Sequence, residues 1–471
     1  MTETVFAPRS VIEAAPATRR GFDALSGLTV YLVLLCAIPS NLVITPLGSL
    51  GRPAQLWGLF LALWWTVHQL QAAPRPVPSP WQPLRLAFGA FVVVALISYA
   101  AAVLRGQPAD QISPATTALV KLVSWGGVMF VAMDGIRTMR DLRALLHRLV
   151  VAVTVVALLG LVQTFTGRSW IDQLSLPGFS PSEEGGVQSR GALTRAAGTA
   201  THPLEYAMLL GVTVPIALTL AALHTARGRV TAWTCAAVIS VATLVSASRT
   251  ALLGFAAALL AVLPGLDRRV RHRLVAGIAV LAVGAVLARP GLVRTMLAMF
   301  TGVATDPSAL SRTNGLERVP GFIAVSPIVG SGFGTFLPRY YIFDDQWVLT
   351  TVDSGFLGLI AFAGLVIGGA WSALRARRIS DQADVRVIGQ GLFAACTTAA
   401  VMLAGFDGLS FPISAGVLFL VLGAAGSLRA IAGADHWMTT VRASIVDADR
   451  PPRGTHRLPG AVPAGQRAAT R

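Results

Sequence analysis

The chain has 471 residues, 54% apolar and only 13% charged, a balance too apolar for a soluble protein of this length. Its formal charge of +16 is spread over short segments between apolar runs, which leaves a nucleic-acid partner without support. Three cysteines, Cys36, Cys235 and Cys396, fall in separate apolar runs with no metal-ligand spacing and read as packing residues.

Residues 1–23 form a polar tail expected to be disordered, and no cleavable signal is read because the first apolar run starts late and others follow it. About twelve runs approach the roughly 20 residues needed to cross about 30 Å of hydrocarbon. They are 25–43, 54–72, 84–104, 115–133, 145–166, 203–223, 230–247, 249–264, 273–289, 352–373, 387–404 and 411–431. The expected fold is therefore an all-α polytopic membrane protein, with a membrane domain over 24–432 and a second disordered tail over 433–471. Two connections exceed turn length. One runs from Gly167 to Thr201 and contains PSEEGG; the other covers about 290–351, between helices 9 and 10. The second opens with LVRTMLAMF from Leu292, whose helical spacing suits either an interfacial helix or a lid against the bundle.

Placing the N-terminus in the cytoplasm puts 26 of the 38 basic residues in cytoplasmic loops and tails, including Arg140, Arg271 and Arg377. That bias follows the positive-inside rule, predicts a plasma-membrane protein with both termini inside, and brings these arginines to membrane lipid headgroups. The other twelve stand against the bias, among them Arg52, Arg105, Lys121, Arg195, Arg249, Arg312, Arg318 and Arg339. Lys121, about two turns into the fourth span, is within snorkelling reach of the outer surface.

Three polar blocks interrupt the apolar pattern. In TRAAGTATHPLEYA, Arg195 precedes a helix entry made by Thr201, His202, Pro203 and Glu205, where His202 and Glu205 suit helix capping and Arg195 suits a phosphate seat. In SASR, Arg249 sits in a tight external hairpin, able to meet lipid phosphates in general or one in particular. The third block carries SPIVGSGFGTFLPRYY and then DDQWVLTTVDSGFLGL. Its GSGFG lacks a surrounding strand–helix–strand unit, so its glycines read as a tight turn. Asp344 and Asp345 precede a span, and Asp353 lies two turns on, on the helix face of Asp345. These carboxylates either accept a proton from a sugar hydroxyl or pair with Arg312, Arg318 or Arg339.

The blocks TRAAGTATHPLEY, SRTALLGF, PIVGSGFGTFLP and DDQWVLTTVDSGFLG together resemble the O-antigen ligase/polymerase family of bacterial membrane glycosyltransferases, over roughly Thr194 to Gly358. The resemblance is to the branch of exopolysaccharide or capsule polymerases. It implies transfer of a glycan from an undecaprenyl-diphosphate carrier to a glycan or lipid acceptor at the outer face, with no cofactor or metal and with a chain-length regulator as a possible partner. By this resemblance Arg195 and Arg249 match diphosphate-binding arginines, and Arg312 or Arg318 a third. Where the ligases carry a loop histidine this chain has Asp344, followed by Asp345 and Gln346, which favours the polymerase-like branch. A carboxylate of ordinary pKa, about 3.9, is a feeble base towards an alcohol, so proton transfer would come late or the Asp would only orient the hydroxyl. The competing reading is a transporter or flippase of lipid-linked glycan, which would place ionisable residues near the bilayer midplane on broken helices.

Overall fold

A computed structural model describes residues 22–71, 81–169, 171, 174–182, 188–190, 193–224, 228–246, 248–288 and 307–448. Among them a helix occurs at each of the twelve predicted spans: α1 (Ala24–Ala37), α2 (Pro53–Gln71), α3 (Pro83–Leu104), α4 (Ala109–Gly135), α5 (Met139–Thr166), α6 (Pro203–Leu223), α7 (Arg229–Val245), α8 (Arg249–Val262) and α9 (Arg268–Ala288). After these come α10 (Pro307–Ala324), α11 (Gln346–Ile379), α12 (Ala383–Leu403) and α13 (Pro412–Ala448). Seven are long and apolar enough to cross a membrane; α1, α7 and α8 are shorter apolar helices. The molecule is a polytopic helical membrane protein.

Local chemistry sets the ends. Asp23 caps α1 by accepting from Ser26 N at 2.7 Å, and Thr138 and Asp141 cap α5 reciprocally. Gly167 closes α5 in the left-handed conformation, φ 67°. The first span ends six residues earlier than expected, because Pro39 and the polar Ser40 and Asn41 turn the chain out of the helix. Residues Leu42–Ile44 form β1, which pairs antiparallel with β2 (Phe179–Pro181), tying the first inter-helix connection to the one after α5. A second hairpin, β3 (Gln188–Arg190) with β4 (Leu193–Arg195), leads into α6.

Helices α6 and α13 form the centre: 89% of the apolar stretch of each is buried, against 28% for α3. One end of the bundle gathers the arginine-rich connections, held by Arg85–Asp134 at 2.5 Å and Arg143–Asp384 at 3.2 Å. The opposite end carries the three polar blocks. Two features depart from the sequence reading. Helix α10 forms inside the long connection after the LVRTMLAMF segment, over residues for which no helix is expected, and it carries Arg312 and Arg318. Helix α13 runs on to Ala448, so the boundary set after residue 432 falls inside it. The LVRTMLAMF segment, residues 1–21 and 449–471, and part of PSEEGG lie outside the described residues.

Candidate functional site

Arg195 ends β4, and the chain just after it is fixed by Gln163 of α5. The Gln163 side chain accepts from Ala197 N at 3.2 Å and Gly198 N at 2.8 Å and donates to Gly198 O at 3.0 Å. Arg195 is half-buried with its Nε wholly enclosed, and its charge reaches His202. Burial, and then the Arg195 charge, push the His202 imidazole down to about 4. His202 is therefore a neutral helix cap, its Nδ1 accepting from Leu204 N at 3.2 Å.

Glu205 is fully buried and serves three elements at once. Its Oε2 accepts from Ser40 Oγ and Thr201 N, both at 2.9 Å, while Oε1 accepts from Ile413 N at 2.7 Å, the first turn of α13. A carboxylate at two helix N-termini satisfies amides that have no intrahelical partner. Both members of the HPLE motif are thus structural caps. Arg52, also buried, donates to Ser40 O at 3.2 Å and to Ser182 Oγ at 3.3 Å.

Arg249 is the first residue of α8 rather than part of the preceding turn. It is half-buried, with Nε and Nη2 enclosed. Its neighbour Thr250 meets Gly405 O at 3.5 Å, in the connection between α12 and α13. That connection, residues 404–411, joins the blocks. Ala404 lines a cavity of about 110 Å³ with Asp344, Asp345, Tyr341, Phe343, Gly315 and Val348. Leu409 N donates to Gln346 Oε1 at 2.8 Å, and Phe411 packs on His202 with ring centroids 5.6 Å apart. One short turn therefore contacts Thr250, the residue after Arg249, His202, which feels the Arg195 charge, and the cavity that Asp344 lines. The sequence reading missed this turn and its Asp407. The available signal was an acid in a short polar gap between two apolar runs, VMLAGFDGLSFPIS.

The acidic pair divides by role. Asp345 caps α11, its Oδ1 accepting from Trp347 N at 2.8 Å and Val348 N at 3.1 Å, while Asp344 lines the cavity half-buried. Asp353 has a different partner: its Oδ1 accepts from Phe336 N at 3.0 Å in the glycine-rich turn. Of the loop arginines with described side chains, Arg339 pairs with Asp110 at 2.5 Å and Arg318 lies 5.2 Å over the Tyr341 ring. Arg312 is placed on α10; its side chain lies outside what the structure describes.

The glycine-rich turn does structural work. Helix α11 breaks at Gly355, φ 67° and ψ −171°, a conformation essentially confined to glycine. The turn replaces the lost helical hydrogen bonds on both sides of the break. Ser331 N and Gly332 N donate to Val352 O at 3.0 Å and Asp353 O at 2.8 Å; Phe356 N and Leu357 N donate to Pro327 O at 2.9 Å and Ile328 O at 3.3 Å. Arg105 anchors the same turn through Gly330 O and Ser326 Oγ, both at 2.9 Å, which accounts for one arginine that stands against the charge bias.

Among the described residues, no group of His, Cys, Asp and Glu is arranged to hold a metal ion. The chain matches no protein-family model and no curated protein. It is similar to a chain from a solved structure described as a peptidoglycan synthase complex coordinating polymerization and crosslinking. Identity is 19%, covering 75% of this chain and 97% of that one, with a TM-score of 0.38, a likeness too loose to bear on the chemistry.

Proposed function

We propose that this protein is a membrane glycosyltransferase that moves glycan from an undecaprenyl-diphosphate carrier to an acceptor hydroxyl at the outer membrane face, in the manner of the O-antigen ligase/polymerase family. The observation that carries the reading is that the 404–411 turn, at the end of the bundle away from the arginine-rich connections, touches Thr250 beside Arg249, His202 in the field of Arg195, and the cavity lined by Asp344. Two partly buried guanidiniums suit a diphosphate, which takes bidentate, charge-assisted hydrogen bonds. A carboxylate lining the adjoining cavity suits the acceptor. In the step itself the acceptor oxygen bonds to the anomeric carbon as the bond from that carbon to the phosphate oxygen breaks. The electron pair leaves with the diphosphate, and the hydroxyl proton passes late to Asp344 or to water. Growth onto a second lipid-linked repeat unit, as an exopolysaccharide polymerase performs, fits the Asp344–Asp345–Gln346 sequence better than ligation does, and a chain-length regulator is an expected partner.

One observation favours the transporter reading: a broken helix. The backbone groups that the break at Gly355 exposes are already taken by the glycine-rich turn, leaving few for a cargo. That supports the transferase.

Purified protein supplied with an undecaprenyl-diphosphate glycan tests the reading. Arg195→Ala or Arg249→Ala is expected to lower transfer about 10–100-fold, the worth of one charge-assisted contact, with lysine restoring only part of it. Full transfer by Arg249→Ala would refute the assignment.

A further inference from the structure

A second polar cavity lies inside the bundle near the same end, between α1, α2, α4 and the start of α13. It has room for about one water-sized group, about 20 Å³, and its lining includes Arg52, Gln55, Lys121, Tyr31, Ser124 and Ser410. Its two charged side chains are both cations. Gln55, in the first turn of α2, is 8% exposed, and its Nε2 is buried with no hydrogen-bond partner among the described residues. An orphaned amide donor in such a place is destabilising, so a site that keeps one is suited to receiving an acceptor atom. Lys121, partly exposed, also contributes to the lining of this cavity. An ionisable residue inside a membrane bundle is costly and points to a function.

The cavity adjoins the site described above. Phe411 stands between Ser410 and Pro412 of its rim and packs on His202, which lies within the field of Arg195. The space is too small for a whole phosphate group but large enough for one of its oxygens.

We propose that Lys121, with Arg52 and Gln55 Nε2, receives a terminal oxygen of the carrier diphosphate as it leaves, a role that rests on the transferase reading. The carrier is a diphosphate diester before transfer and a monoester after it. It therefore gains negative charge as the bond to the sugar breaks. A cation and an amide donor placed to meet that charge favour the transition state over the bound donor, whereas Arg195 and Arg249 serve both. A cavity whose two charged groups and orphaned amide are all donors favours an anionic oxygen over a neutral group, which gives the site its selectivity.

The test uses full-length protein in nanodiscs, with farnesyl diphosphate, farnesyl monophosphate and inorganic pyrophosphate as probes. Binding of each is measured for wild type, Lys121→Met, Lys121→Arg and Gln55→Leu, all checked for a monodisperse, helical product. The expected result is about 10-fold weaker diphosphate binding by K121M and about 3-fold by Q55L, with K121R near wild type and monophosphate binding unchanged. Unchanged diphosphate affinity in folded K121M would overturn the proposal, as would equal losses for mono- and diphosphate. Should wild type bind pyrophosphate in a Lys121-dependent way but neither prenyl compound, the anion site stands and the lipid-carrier reading falls. If wild type binds none of the three, the anion site is refuted as well.

Discussion

Alanine at Gly355 offers the sharpest test of how the site is built. The backbone at 355 lies in a region that an L side chain enters only at a strain of about 1–3 kcal/mol. An added Cβ would also overlap the Ile328 carbonyl and approach Val329 N to 2.6 Å, both main-chain atoms that cannot swing aside. Relief requires the glycine-rich turn to move, and four hydrogen bonds join that turn to α11 across the break. Losing two of them, at about 0.5–1.5 kcal/mol each, brings the total to about 2–6 kcal/mol. Gly364 is the matched control. It lies on the exposed side of the same helix, nothing would meet its Cβ within 4 Å, and alanine there removes a helix-interior glycine penalty of about 0.5–1 kcal/mol. Thermal unfolding of each variant in nanodiscs, with limited proteolysis across 326–336, is the assay. Gly355→Ala should melt lower than wild type and be cut in that turn, and Gly364→Ala should melt no lower. If the two variants melted together and resisted cleavage alike, the turn would not be bonded to α11 as described.

Asp344→Asn is expected to slow chain growth more than it weakens lipid-linked donor binding. Asp353→Asn should act through stability, since it weakens the bond to Phe336 N; parallel measurement of turnover, donor affinity and melting separates the two, and normal growth by Asp344→Asn removes that residue from the mechanism. A cysteine probe at residue 344 should be labelled by an impermeant reagent from outside and one at 271 should not, with the reverse pattern overturning the orientation. His202 binds its proton less readily folded, at about 4, than unfolded, near 6.5, so the unfolded state holds more protons between those values. Its contribution to stability is therefore intact above about pH 6.5 and lost as pH falls towards 4; melting curves of His202→Gln should lack that part of the acid sensitivity.

The helices were legible because a run of apolar residues near the bilayer's thickness has few other uses, and every one of the twelve runs holds a helix. Where the chain leaves hydrocarbon, periodicity stops carrying information. Helix α10, with four charged or amide residues from Arg312 to Arg318, gave no apolar signal and was not foreseen. Local chemistry was readable where partners are close in sequence: the caps at His202 and Glu205 follow from short-range rules, whereas Asp345, read as a proton acceptor or arginine partner, is a cap that the sequence reading overlooked. Their long-range partners were not. Glu205 meets Ile413 only because helices remote in sequence pack side by side, and Asp353 meets Phe336 only because the glycine-rich turn folds back on α11. Lys121 shows the same limit, since which face of α4 points inward depends on the neighbours and not on the run itself.

The turn at 404–411 touches the arginine side through Thr250 and His202 and the carboxylate side through Gln346 and the Asp344 cavity. Changes on the two sides are therefore not independent: Arg249 and Asp344 substitutions combined should depart from additivity, as groups sharing a partner do. It also limits how such a chain can be re-specified. A methyl at Gly405 would press on Thr250, so this turn tolerates little drift. On the proposed function, variation for a different glycan is freer at exposed positions such as Leu316, Tyr340 and Ile342, where side chains can change without disturbing the turn that both sides of the proposed site lean on.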